Sequence, residues 1–237
     1  MRKNINMEIR QLSFHHKVFI LFLKELKCEW RSKVSINSII LFSVVILILI
    51  SYSIGPYKVP ENTKSDIFSA LLMLSLFFSS SIGLSRAFVK EEEQKTSITL
   101  KIAQDPISIF LGKLLFNLFL ILFIGLIITP LFCIFMEFNI LNICYFIIIM
   151  FFSMFGLSIV STFISAIVAK ASMKGALFPI LTFPILMPLI LESARALSFS
   201  ASSPNLNFFP QSILILISYS GVTFFASLIL FEKVWKE

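Results

Sequence analysis

Leu114-Leu-Phe-Asn-Leu-Phe-Leu-Ile-Leu-Phe-Ile-Gly-Leu-Ile-Ile-Thr-Pro-Leu-Phe-Cys-Ile-Phe-Met136 contains no Asp, Glu, Lys, Arg or His. A hydrocarbon core of about 30 Å is crossed by about 20 helical residues, so this run is long enough to span a bilayer by itself. Five more runs share its character: Ile36–Ile54, Ile67–Leu84, Ile143–Ala169, Ala176–Leu191 and Ser212–Phe231. The chain of 237 residues is 57% hydrophobic and only 14% charged, where a soluble domain carries roughly a quarter charged residues. These features predict an all-α integral membrane protein with six transmembrane helices. The first run follows a long basic flank and precedes no A-x-A site, which argues against a cleaved signal peptide.

The Lys and Arg residues flank the spans, and their distribution sets the orientation. Segment 1–35, loop 86–113, the Lys170–Lys174 loop and the tail 232–237 together hold 17 of them; Lys58, Lys64 and Arg195 make 3 on the other side. The 17-side is predicted to be cytoplasmic, with both termini there and residues 36–231 forming the membrane-spanning body. The net charge of +7 flanks membrane spans and forms no separate basic domain. It therefore points to the lipid bilayer as partner and away from nucleic acid.

Within segment 1–35, Lys17, Lys24, Lys27 and Arg31 recur at helical spacing opposite Phe14, Val18, Leu21, Phe22, Leu26 and Trp30. That pattern predicts an N-terminal amphipathic interfacial helix with its cations toward headgroups. In the loop 86–113, Arg86 to Lys95 reads as a charged helical continuation of the second span. Asp105-Pro106 supplies an N-cap and first-turn proline, predicting one short helix before the third span. Gly55-Pro56 ends the first span. Pro179, Pro184 and Pro188 predict a kinked or partly broken fifth span. Glu192 to Pro210 reads as an outer segment that lies back in the interface.

Several kinds of chemistry have no residues to carry them. No span carries an ionisable side chain of the kind that ion-coupled carriers use. There is no H-E-x-x-H, no G-x-S-x-G and no Cys/His cluster, so no catalytic, cofactor-binding or metal site is assigned and the chain is read as a non-enzyme. His15 and His16 belong to the basic flank. Cys133 and Cys144 read as small apolar packers. Gly112-Lys113 lacks the rest of a phosphate-binding loop, so any ATP-driven work needs a separate ATPase chain.

Four stretches resemble one family. These are Leu23-Lys24-Glu25-Leu26 with Trp30-Arg31; Ser53-Ile54-Gly55-Pro56; Leu84, Arg86, Phe88 and Glu91 with Pro106 and Gly112-Lys113; and Gly175 with Leu181-Thr-Phe-Pro-Ile-Leu-Met-Pro-Leu. In order and spacing they resemble the CcmB family, the permease of a haem-exporting ABC-2-type transporter in cytochrome c maturation. One stretch departs: Lys95-Thr-Ser-Ile-Thr-Leu stands where the family carries Asp-Gly-x-Leu-Glu. The resemblance implies a cytoplasmic ABC ATPase subunit, a second haem-handling membrane subunit, two permease copies, and a bacterial (or mitochondrial) inner membrane. It implies haem as a ligand handled by the complex and not a cofactor bound by this chain. It also implies a short cytoplasmic coupling helix, with Arg86, Phe88, Glu91, Glu92 and Glu93 as ATPase-docking candidates. Two other readings stay open on the sequence: an ABC-2-type permease exporting a lipid-linked glycan or drug, and a non-transporting membrane scaffold.

Overall fold

A computed structural model describes residues 14–94, 96, 100, 104–171, 174–202 and 209–236. The chain is all-helical over these residues. Six of its helices are long and apolar enough to cross a membrane. Helix α1 is Phe14–Ser32 and α2 is Val34–Ser53. Helix α3, Glu61–Leu84, passes through Ser85 in α-helical geometry into the short α4, Arg86–Glu93. Then follow α5, Pro106–Met136; α6, Ile143–Ala169; α7, Lys174–Ser202; and α8, Phe209–Lys236.

Helix α6 is the centre of the bundle, packing on α7, α8, α5, α4 and α3. Apolar side chains gain little by leaving lipid for one another, so close backbone approach and hydroxyl bonds hold such helices together. On α6 the groups that do this are small: Ser153 Oγ lies 2.7 Å from Ser193 Oγ on α7, and Thr162 Oγ1 accepts Asn117 Nδ2 of α5 at 2.8 Å. Two aromatic clusters close the ends. Phe68, Phe132, Phe138 and Phe146 meet edge-on at one end. Phe88, Phe110, Phe231 and Trp235 gather at the end rich in Lys and Arg.

Helix α5 differs from expectation in where it begins. Asp105 has the extended N-cap backbone and Pro106 stands in the first turn, but no separate short helix follows. The helix runs 31 residues without interruption, or about 46 Å at about 1.5 Å per residue, and so stands well clear of a 30 Å core. At the front of this loop stands a short helix, α4. Among the termini, α8 extends through the predicted tail as far as Lys236. The Lys170 ammonium donates to the Val234 carbonyl at 2.8 Å, placing a cation at the C-terminal end of α8.

The proline-rich span is predicted to be kinked or partly broken. Helix α7 is continuous through Pro179, Pro184 and Pro188, so it is not broken, and a kink is compatible with that continuity. Pro184 and Pro188 remove the donors for the Ile180 and Pro184 carbonyls. Thr182 donates to the Phe178 carbonyl at 2.6 Å and Tyr219 of α8 to the Ile185 carbonyl, so hydroxyls bond the backbone beside the freed carbonyls. Helix α7 then continues to Ser202, so the first part of the supposed interfacial segment is helix; residues 203–208 lie outside the described ones. Gly55 has φ +62°, the left-handed conformation that its sequence position ahead of Pro56 called for.

Candidate coupling site

Helix α4 is amphipathic by the geometry of its own eight residues. Phe88 and Glu91 are buried at 1% and 6% exposure, while Arg86, Glu92 and Glu93 are exposed. The inward face meets four helices. The Phe88 ring lies 5.5 Å from both Phe231 and Trp235 of α8. Its backbone N–H donates to Ser165 Oγ of α6 at 3.2 Å. Glu91 and the Ala87 carbonyl turn toward α1 and α5.

There they meet Lys113, a cation almost wholly removed from solvent at 1% exposure. Lys113 Nζ donates to Ala87 O at 2.5 Å and to Glu25 Oε1 of α1 at 3.1 Å. It stands 4.7 Å from the centre of the Phe88 ring, a cation–π contact strengthened by burial. Its 3.1 Å approach to Glu91 Oε2 is an ion pair without hydrogen-bond angles. Lys24 of α1 completes the group, donating to Glu91 Oε1 at 2.5 Å and to Glu25 at 3.1 Å. Two ammonium and two carboxylate groups thus neutralise one another where three helices meet. A buried charge is tolerable on those terms.

The electrostatics follow from this geometry. Burial works against the Lys24 charge, but Glu25 and then Glu91 outweigh it and raise its pKa above the usual lysine value. Burial alone would raise the Glu25 carboxyl; Lys113 and then Lys24 overcome it and hold that group below the ordinary carboxylate range.

Helix α1 is brought here by Gly112. A methyl group at that position would stand 2.6 Å from Leu21 Cβ and 3.2 Å from the Val18 carbonyl oxygen, so only glycine lets α1 lie this close to α5. The Gly112-Lys113 pair therefore works as a unit, the first residue admitting the helix and the second charging its seat. At the other end of α1, Lys17 reaches Asp105 at 3.1 Å. Asp105 makes no side-chain cap of α5; its carboxylate is directed to Lys17 instead.

These contacts correct the sequence reading of α1. Lys17 and Lys24 face acidic partners within the protein and not headgroups. Lys27 and Arg31 are exposed as expected, and Trp30 of the apolar face is exposed too. Glu25 and Lys113 were missed as site residues, because their meaning lies in partners up to 88 positions away. The available signal was a lone cation placed inside a helix start, next to glycine. Among the docking candidates, Phe88 and Glu91 belong to the interior, and Arg86, Glu92 and Glu93 to the surface.

Beside this cluster lies a cavity of about 1090 Å³, bounded by α1 to α5 and the start of α7. Its deeper wall is mostly apolar, with Asn117 in it, and its rim carries charge.

The family model described as CcmB protein matches residues 16–230, from the first turn of α1 into α8. No curated protein matches the chain. With that match covering nearly the whole sequence and six membrane-length helices beneath it, the chain belongs to the CcmB family, the permease component of a haem-exporting ABC transporter for cytochrome c maturation.

Proposed function

We propose that this permease turns ATP hydrolysis on a separate ABC ATPase subunit into movement of its spanning helices, and that α4 is the element that receives the push. The observation that supports this reading is the two-sidedness of α4. Its outward residues Arg86, Glu92 and Glu93 are free to meet a partner, while Phe88 and Glu91 fasten it to α1, α5, α6 and α8. A short helix gripped by four others cannot shift alone, so displacement at its surface passes into the bundle. In this reading the basic end faces the cytoplasm of a bacterial inner membrane. Two permease copies and a second haem-handling membrane subunit complete the complex. Haem is the substrate of that complex, and no side chain of this chain is assigned as its ligand.

The test separates docking from folding. Glu92→Lys with Glu93→Lys places like charge against a basic partner surface, and reversals of this kind act on association. The expected result is loss of ATPase co-purification and of cytochrome c assembly, with permease abundance in the membrane unchanged. Glu91 is left out because it holds the internal ion pairs. Wild-type ATPase binding by the double variant would overturn the docking assignment.

A further inference from the structure

We propose that the cavity at the basic end is a binding site for an ethanolamine phospholipid, with its phosphate on Arg86 and Lys90 and its ammonium toward Glu93. The proposal shares Arg86 and Glu93 with the docking surface of α4, and its test reads lipid labelling in the membrane, which loss of the ATPase does not report.

Location comes first. Phe78, on the cavity wall, lies about 9 Å along α3 from that helix's end at Leu84, at about 1.5 Å per residue. The cavity therefore reaches from the level of the loop into the outer hydrocarbon, the depth at which a phosphoglycerol head joins its acyl chains. Its deep wall is mostly apolar, with Phe42, Phe78, Ile82, Phe116, Leu120 and Pro179; Asn117 among them is held by Thr162. At about 1090 Å³ it lies just above the ~300–1,000 Å³ typical of ligand pockets.

Charge selects the head. Of the three cations lining the cavity, Lys24 is taken up by Glu25 and Glu91. Arg86 and Lys90 make no ion pair with any described residue. They stand four residues apart on α4, so their side chains leave one face with Cβ atoms about 5–6 Å apart, a spacing that a single phosphate bridges. Of the four carboxylates, Glu25 and Glu91 are neutralised by lysine, and Glu29 accepts the Ile36 N–H at 3.3 Å. That leaves exposed Glu93, three residues beyond Lys90 on the same side of α4. The row reads plus, plus, minus. Its complement is a head with a phosphate followed by a hydrogen-bonding ammonium. A phosphatidylglycerol head has no cation for Glu93, and a choline head has no N–H to donate.

The test uses the full-length protein in native membrane vesicles, with photoactivatable diazirine-acyl phosphatidylethanolamine, phosphatidylglycerol and phosphatidylcholine as probes. The ethanolamine probe should label peptides bearing Phe78–Ile82 and Phe116–Leu120 about tenfold more than the other two, as one charge-assisted hydrogen bond allows. Lys90→Ala should lower that labelling about tenfold, and Glu93→Gln should erase the preference for ethanolamine. Ile82→Trp, which fills the cavity, should abolish labelling there while the lipid-facing peptide around Leu41–Leu49 is labelled as before. Excess inorganic phosphate should not compete; competition would show a free-anion site and overturn the lipid assignment. Equal labelling by the three probes, or unchanged labelling in Lys90→Ala, would overturn it as well.

Discussion

Lys24 of α1 and Glu91 of α4, 67 positions apart in the chain, meet at 2.5 Å beside the buried Lys113. Each partner alone is an ordinary charged residue of a membrane flank. Together with Glu25 they make the seat on which the α4 helix rests.

Removing the cation should therefore cost more than losing a surface ion pair. In Lys113→Met two carboxylates share one remaining ammonium in a buried site, and breaking such a pair costs about 3–5 kcal/mol. The expected outcome is a large fall in the thermal midpoint of the detergent-solubilised protein. Glu92→Gln, on the exposed side of the same helix, should change it little. Equal midpoints for wild type and Lys113→Met would show that the cluster contributes nothing to stability.

Gly112→Ala should displace α1 without unfolding the bundle, because the added methyl meets Leu21 Cβ and the Val18 carbonyl and not a flexible side-chain end. A flexible bismaleimide cross-link between Lys17→Cys and Asp105→Cys reports the seat, since the native side chains reach each other at 3.1 Å across the gap between the two helices. It should form readily in the otherwise native chain and fail in the Gly112→Ala background. Equal cross-linking in both would mean that α1 does not need the glycine.

The ion cluster also sets a pH response. Glu25 has a lowered folded pKa, so its contribution is complete above the ordinary value of 4.5 and disappears as pH falls through the lower folded value. Lys24 has a raised folded pKa, so its contribution is complete below 10.5 and disappears as pH rises through the higher folded value. The same α1 cross-link, measured across pH at fixed thiolate correction, should be flat over the neutral range and fall only beyond those two limits. A transition near pH 7 would contradict the pairing.

Orientation is open to direct measurement. Reporter fusions after Asn62, Glu137 and Ser203 should read as external, and fusions after Lys95, Ser172 and Glu237 as cytoplasmic, following the 17-to-3 division of Lys and Arg. A cytoplasmic reading at Asn62 would reverse the assignment of the basic end.

The spans were legible because a charge-free run of sufficient length has one physical meaning in a membrane. Ile143–Ala169 was read from the sequence with the same limits that α6 has. Pattern was a poorer guide where two local rules compete. Asp105-Pro106 signals a helix start, and nothing local says whether that helix stops before the membrane; α5 runs straight through because no breaker follows until the far side. Three prolines signal a break in α7, yet the helix runs on through all of them. The ion cluster was legible only as a set of flanking charges. Which of Lys17, Lys24 and Lys27 turns inward depends on α5 lying against α1, and no periodicity within α1 contains that information.

The separation of those partners has a consequence for synthesis. Helix α1 leaves the ribosome with Lys17 and Glu25 each 88 positions ahead of the residue it will bind. Until α3 has inserted and the start of α5 has been made, the first helix has no seat and can hold only to the membrane surface. The nascent chain thus waits as a basic segment at the membrane surface, and closure of this basic end becomes a checkpoint reached only after the second span has crossed in the right direction. A chain whose α3 inserted backwards would carry Glu91 to the wrong side of the bilayer, leave α1 undocked, and present quality-control proteases with a bound but unclosed terminus.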